Sequence, residues 1–274
     1  KDEGLDIKFL GVLPYADLRI EEEDSLSDED KRVYLDNKEY INISVIKTKK
    51  MSNFTDFHAF KQYDDVRLKY VYDAKDLGNE DIIIFPGSKN TITDLEDLKE
   101  RGIFEKVKEL KEKGKIIVGI CGGLQMLGKK IYDPKYLESN ILETEGFNFF
   151  DYETTFDEIK KTEQVTKRLE LTEGILKDFT NYEVKGYEIH QGISTFDSPV
   201  ICKNRVFATY IHGIFDNSKF TNDFLNIVRR EKNMPEQKEI FSFNEFKEKE
   251  YDKLAELLRK NLDMTEIYKI LEKK

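Results

Sequence analysis

Apolar positions along the chain fall into two rhythms. Residues 41–47 (INISVIK) and 66–72 (VRLKYVY) alternate, with apolar, mostly β-branched or aromatic, residues at Ile41, Ile43 and Val45 and at Val66, Leu68, Tyr70 and Tyr72. That pattern predicts strands buried on one face. Residues 81–86 (DIIIFP) and 115–120 (KIIVGI) are unbroken apolar runs, which suit strands covered on both faces in a parallel sheet. Between them, Leu95, Leu98, Phe104, Val107 and Leu110 recur at helical spacing across 94–113, and Gly114 stands where a helix C-cap is expected. A second helix should begin in CGGLQMLGKK, directly after KIIVGI. Strand, helix, strand, sharp turn and helix predict an α/β fold with an open, mainly parallel sheet flanked by helices.

The rest of the pattern is less regular. Residues 5–13 (LDIKFLGVL) read as a short strand ending at Pro14, and 20–30 (IEEEDSLSDED) as a solvated acidic segment. Residues 184–190 and 205–211 read as later strands, and 151–170 is polar without a clear period. In the tail 242–272, Phe246, Tyr251, Leu254, Leu257 and Leu258 lie near helical spacing.

Composition narrows the classes. Against 45 Lys+Arg stand 55 Asp+Glu, a formal charge of −10, so nucleic acid is not the expected ligand. With 19 Phe and 14 Tyr in 274 residues, the chain has ample material for a core. No apolar run approaches the roughly 18–20 residues that span a bilayer. The start, Lys1-Asp2-Glu3-Gly4, has no signal-peptide pattern. A cytoplasmic location is expected. Only Cys121 and Cys202 carry thiols, which is no disulfide framework. Neither CxxC nor ligand-spaced histidines occur among His58, His190 and His212, so no metal is expected.

The sharpest local feature is Gly119-Ile120-Cys121-Gly122-Gly123. A buried strand ends at a polarisable residue flanked by glycines, the layout of a nucleophile on a strained strand-to-helix turn. The N-terminus of the following helix presents free N–H groups, which favour a thiolate and can hold an oxyanion. Cys202, in VICKNRV, has no such setting and reads as a strand residue. A thiol nucleophile needs a base. His190 (GYEIHQG) and His212 (TYIHGIF) both stand at strand ends, and spacing does not separate them. A second turn after a buried strand, Pro86-Gly87-Ser88-Lys89-Asn90-Thr91, offers backbone N–H groups for an anion.

GICGGLQ resembles the nucleophile segment of class I glutamine amidotransferases. IIIFPGSKNT, VGICGGLQMLG, KGYEIHQG and TYIHGIFDN, with SNFTDFHAF (52–60) and the tail YDKLAELLRKNLDMTEIYKIL (251–271), form an ordered set similar to the cobyric acid synthases, glutamine-dependent amidases of cobalamin biosynthesis. The resemblance spans most of 40–272. It implies the flavodoxin-like class I amidotransferase fold, with Cys121 as nucleophile and His212 as its base. It implies Gly87, Ser88, Gly122 and Gln125 at the oxyanion hole and the bound L-glutamine. Residues 8–26 resemble the end of that family's N-terminal synthetase domain, which implies that ATP, Mg and the corrinoid substrate belong to a missing N-terminal part, with no cofactor in this chain. The division implied is 1–37 as a remnant of the synthetase domain, 38–235 as the amidotransferase domain and 236–274 as a helical extension. The first residue, Lys1 rather than Met, fits a cut late in such a two-domain synthase.

Many class I amidotransferases carry Glu two residues after the His, and here Ile214 stands there. The cobyric acid synthases share this lack. The expectation is a Cys–His dyad, or a substitute acid, with Asp216 and Glu188 as candidates. Cobyrinate diamide synthases and cell-wall amidotransferases share the Cys and His. A non-catalytic α/β binding module is the reading outside enzymes.

Overall fold

The computed structural model describes residues 8–18, 20, 34–35 and 38–272. They divide into two compact units: the described parts of Lys1–Glu23 with those of Ser242–Lys274, and the described parts of Asp24–Phe241. In the second unit the chain forms β1 (Ile41–Ile46), β2 (Met51–Ser52), β3 (Val66–Val71), β4 (Ile82–Phe85), β5 (Gly87–Ser88), α1 (Thr91–Glu100) and α2 (Ile103–Glu112). It continues with β6 (Ile116–Ile120), α3 (Gly122–Leu127), β7 (Lys130–Tyr132), β8 (Glu143–Glu145), β9 (Glu153–Glu170), β10 (Thr180–Ser194), β11 (Val200–Lys203), β12 (Val206–Thr209) and α4 (Ser218–Glu231). The first unit carries α5 (Phe243–Asn261) and α6 (Met264–Leu271).

The six-stranded sheet runs β11-β12-β6-β4-β1-β3. All neighbours pair in parallel except β11, which lies antiparallel on β12. Counted in chain order, the five parallel strands stand 2-1-3-4-5, the doubly wound order of flavodoxin-like sheets. The expected open α/β sheet is therefore present. The apolar runs IIIF and IIVGI form β4 and β6 and are buried at every position. Ile92, Leu95 and Leu98 of α1 and Phe104, Val107 and Leu110 of α2 join Ile83, Phe85 and Ile117 in one core. Phe220, Phe224 and Val228 of α4 are buried too, and Phe224 meets Phe207 of β12 edge-to-face at 5.3 Å.

Several local expectations are corrected. The helix expected across 94–113 is two helices, because Gly102 takes a left-handed conformation (φ 72) between them. The ambiguous stretch 151–170 is β9, an 18-residue strand paired antiparallel with β10. Its middle, 158–164, is exposed throughout, so no apolar alternation marks it. These two strands belong to a second sheet, β10-β9-β7-β8.

Residues 8–13 are not the expected strand; residues 5–7 lie outside the described residues. Gly11 makes only a single bridge to Leu262, and Leu10 O accepts from Asp263 N (2.7 Å) at the α5–α6 junction. The segment 8–18 thus shares a compact unit with the C-terminal helices, where the sequence suggested separate pieces. The acidic stretch 20–30 lies outside the described residues apart from Ile20.

Candidate active site

The C-terminal ends of parallel strands in an open α/β sheet face one edge. Here β1, β4, β6 and β12 each hand the chain to that edge. Cys121 follows β6 directly, at φ 51 and ψ −106, and is the N-cap of α3. A non-glycine residue in that conformation carries about 1–3 kcal/mol of backbone strain. The turn is held because Cys121 N donates to Thr209 O of β12 (2.9 Å). Gly123 lets α3 come down on β4: a Cβ there would lie 2.1 Å from Phe85 O.

His212 follows β12 and is wholly buried. Its Nδ1 donates to Asp56 Oδ2 (2.7 Å), while Asp56 Oδ1 accepts the Gly213 N–H (2.7 Å). Both carboxylate oxygens are thus engaged, and Asp56 is itself 2 % exposed. The Tyr187 ring stacks on the imidazole (5.1 Å, 22°), and Asn53 Nδ2 donates to the Tyr187 hydroxyl (2.7 Å). Nε2 is buried without a hydrogen-bond partner and is the ring nitrogen left for Cys121. Burial works against a charged ring. The Asp56 carboxylate, through its charge and its hydrogen bond, and the neighbouring Cys121 outweigh it and push the His212 pKa up to about 10. The imidazole is therefore protonated at neutral pH.

Of the two expectations, a dyad or a substitute acid, the geometry fits the second, with a different acid from the two candidates. The acid beside His212 is Asp56, from the helical segment Phe54–Gln62 after β2, and neither Asp216 nor Glu188. Glu188 instead accepts from Lys161 Nζ (2.6 Å) on the β9–β10 hairpin. Nothing in local spacing points to Asp56, which lies 156 residues before His212; the one signal was its place in SNFTDFHAF.

The remaining expected residues lie on the two glycine turns and on α3, and they are engaged in different ways. A Cβ on Gly122 would stand 2.8 Å from Ser88 N, and one on Gly87 would stand 3.1 Å from His212 Cε1. The two glycine turns therefore touch, since only a residue without a Cβ fits against Ser88 at Gly122 and against Ser52 and His212 at Gly87. The Ser88 hydroxyl points away into α1, donating to Asp94 Oδ2 (2.6 Å) and accepting from Asn90 N (2.9 Å). Gln125 is buried, and its amide is taken up inside the protein. Oε1 accepts from Thr91 Oγ1 (3.0 Å), and Nε2 donates to Gln191 O (2.8 Å). Gln125 thereby ties α3 to β10, whose Ile189 O lies 3.5 Å from Cys121 Sγ.

Glu138, which carried no sequence signal, closes over the turn before α1. Its Oε2 accepts from Thr91 N (2.6 Å). Burial pushes its pKa up to about 7, against the pull of the Thr91 and Ile92 N–H groups. Cys202 is buried in β11, and burial pushes its thiol up. Among the described residues, no cluster of His, Cys, Asp or Glu could hold a metal ion, and no helix is long and apolar enough to cross a membrane.

Residues 42–220 match the family described as CobB/CobQ-like glutamine amidotransferase domain. The chain belongs to this family. It is 41 % identical over 97 % of its length to a cobyric acid synthase of Caldanaerobacter subterraneus subsp. tengcongensis, and 42 % identical over 98 % to one of Clostridium novyi. In both cases it spans 56 % of the relative's own length. Among solved structures, a glutamine amidotransferase superposes with a TM-score of 0.47 at 17 % identity, covering 68 % of this chain and 97 % of that one.

Proposed function

We propose that the chain is the amidotransferase portion of a cobyric acid synthase, and that it hydrolyses L-glutamine through a thioester on Cys121. The observation that carries this reading is the Cys121 turn beside a buried imidazole whose far nitrogen is held by Asp56. The Cys121 thiolate attacks the side-chain amide. The N–H groups of Gly122 and of the Gly87-Ser88 turn hold the oxyanion. His212, protonated at rest, gives its proton to the departing nitrogen, so that ammonia leaves and the thioester remains. The neutral imidazole then takes a proton from water as it attacks the thioester, which releases glutamate and restores the thiolate. Asp56 keeps the ring in one tautomer and orientation and stabilises its charge.

Ammonia then serves the ATP-dependent amidation of corrinoid carboxylates, adenosylcobyrinic acid a,c-diamide to adenosylcobyric acid. ATP and Mg are assigned to the part of the longer relatives that this chain does not span. The sequence similarity to cobyric acid synthases supports this choice of pathway.

The first test is labelling with a glutamine-analogue electrophile, which should modify Cys121 and leave Cys202 untouched. The second joins the chain to the ATP-dependent part. Cys121→Ala should abolish glutamine-dependent amidation and spare amidation from free ammonia. Continued use of glutamine by Cys121→Ala overturns the proposal, as does an unlabelled Cys121.

A further inference from the structure

The loop between β7 and β8 is closed on itself and pinned onto the turn Gly87–Thr91. Asp133 is wholly buried. Its carboxylate accepts from Leu137 N (2.7 Å), Glu138 N (2.9 Å) and Ser139 N (3.3 Å), and its own N–H donates to Leu142 O (2.7 Å). Glu138 is thereby presented to the turn through both backbone and side chain. Its carbonyl accepts from Asn90 Nδ2, and its Oε2 accepts from Thr91 N (2.6 Å) and Ile92 N (3.4 Å).

Ending α1 does not require this arrangement. The helix has a cap of its own, since Asn90 Oδ1 accepts from Thr93 N (3.0 Å). Glu138 reaches the same helix end from 47 residues away, and it does so facing two other carboxylates, Asp133 and Asp94, both buried. All three are held by neutral donors; those of Asp94 are Lys50 N (3.0 Å) and Ser88 Oγ (2.6 Å). Like charges so placed are costly. What the loop holds still is the ground next to the nucleophile. Thr91 Oγ1 donates to Gln125 Oε1 on α3 (3.0 Å), and a Cβ on Gly122 would stand 3.2 Å from that same hydroxyl. The Ser88 hydroxyl accepts from Asn90 N (2.9 Å), and Ser88 N lies against Gly122. Gly122 directly follows Cys121.

We propose that Glu138 is a positioning residue for glutamine hydrolysis: by holding the Asn90 side chain and the N–H groups of Thr91 and Ile92, it fixes the Gly87–Thr91 turn against α3, where the oxyanion forms. The inference rests on the glutaminase reading above. Glu138 touches no reacting atom and acts through Thr91 and Ser88. Its grip depends on its charge, because a hydrogen bond to a carboxylate is about twice as strong as one to a neutral oxygen. Burial, with Asp133 and Asp94 adding to it, pushes the Glu138 pKa up to about 7. The turn is therefore held firmly above about pH 7 and more loosely below it.

The test compares the full chain with Glu138→Gln, whose amide oxygen still accepts from Thr91 N but never carries charge. Steady-state glutamine hydrolysis is measured from pH 5.5 to 8.5, and the ratio of parent to variant kcat is plotted, which cancels groups common to both. The ratio should rise from about 1 to about 5, the worth of one hydrogen bond, with its midpoint near pH 7 and KM little changed. Stability should move the other way. A carboxyl whose folded pKa stands above its ordinary 4.5 costs the parent stability as pH rises from 4.5 through about 7. The melting temperature of Glu138→Gln should therefore gain on the parent's over that range. A variant that is slower yet no less stable at pH 8 is the result that a mere helix cap does not give. A ratio that stays flat with pH, at 1 or at any other value, overturns the proposal. So does a rise in KM that accounts for the whole effect, since that places Glu138 on the substrate. Absence of hydrolysis by the parent at every pH refutes the glutaminase reading, and this proposal with it, without reference to the variant.

Discussion

At the residue scale the proposed chemistry depends on one ion pair buried in the protein. Asp56 and His212 are both out of water, and each is costly alone. Asp56→Asn keeps an acceptor for Gly213 N–H but removes the charge that holds the imidazolium. Glutaminase kcat should fall about 10²–10⁴-fold, with KM nearly unchanged; steady-state assays of the purified variant decide this. The same pair writes a signature into stability. The folded His212 pKa, about 10, lies above its ordinary value of 6.5. The stabilisation it brings is complete below about pH 6.5 and is lost as pH rises through about 10. The gap in unfolding free energy between the parent and Asp56→Asn should therefore shrink steadily from pH 6.5 to 10 in urea titrations. Cys121 stood out by its strand end and flanking glycines, whereas His212 was separated from His190 only by the family resemblance. Asp56 was not legible, because the acid that orients a base need share only space with it. The glycine turn at Gly87-Ser88 was legible as backbone chemistry, whereas the inward turn of the Ser88 hydroxyl depends on Asp94, which spacing alone does not reveal.

At the element scale the site is set by how closely α3 can approach the sheet. Gly123 lies against Phe85 O of β4, and Gly122 lies against Ser88 N. A methyl group on Gly123 must push α3 off β4 and move Cys121 with it. Gly123→Ala should cost about 3 kcal/mol or more and abolish labelling of Cys121. Gly78→Ala is the control, since a Cβ there meets nothing within 4 Å, and its melting temperature should match the parent's. Strands β4 and β6 announced themselves as apolar runs because both faces are covered. Strand β9 did not, because its central residues face water and obey no apolar period. The break between α1 and α2 was also hidden. Apolar spacing continues across it, and only the left-handed Gly102 interrupts the helix.

At the scale of the larger unit, the far ends of its chain are joined by a charged clamp. Arg229 of α4 is fully buried and binds Asp65, just before β3, through Nε (2.7 Å) and Nη2 (3.0 Å). Asn226 completes the clamp, accepting from Nη1 (2.8 Å). Asp65→Ala leaves the guanidinium buried and unpaired, so denaturant melts should show a loss of about 3–5 kcal/mol. The effect on the chemistry should be small in whatever protein remains folded, because the clamp lies apart from Cys121 in the hydrogen-bonding scheme.

By itself the sequence determined the apolar strands of the parallel sheet, the helices beside them and the glycine-flanked turn at Cys121. Each of these follows from burial and backbone freedom over a few adjacent residues. Tertiary structure alone decided which acid meets His212, which way the Ser88 and Gln125 side chains turn, and that His190 stacks on Tyr210 with Glu188 beside it. Those outcomes depend on distances between residues far apart in the chain, which are set only when the parallel strands bring their C-terminal ends to one edge.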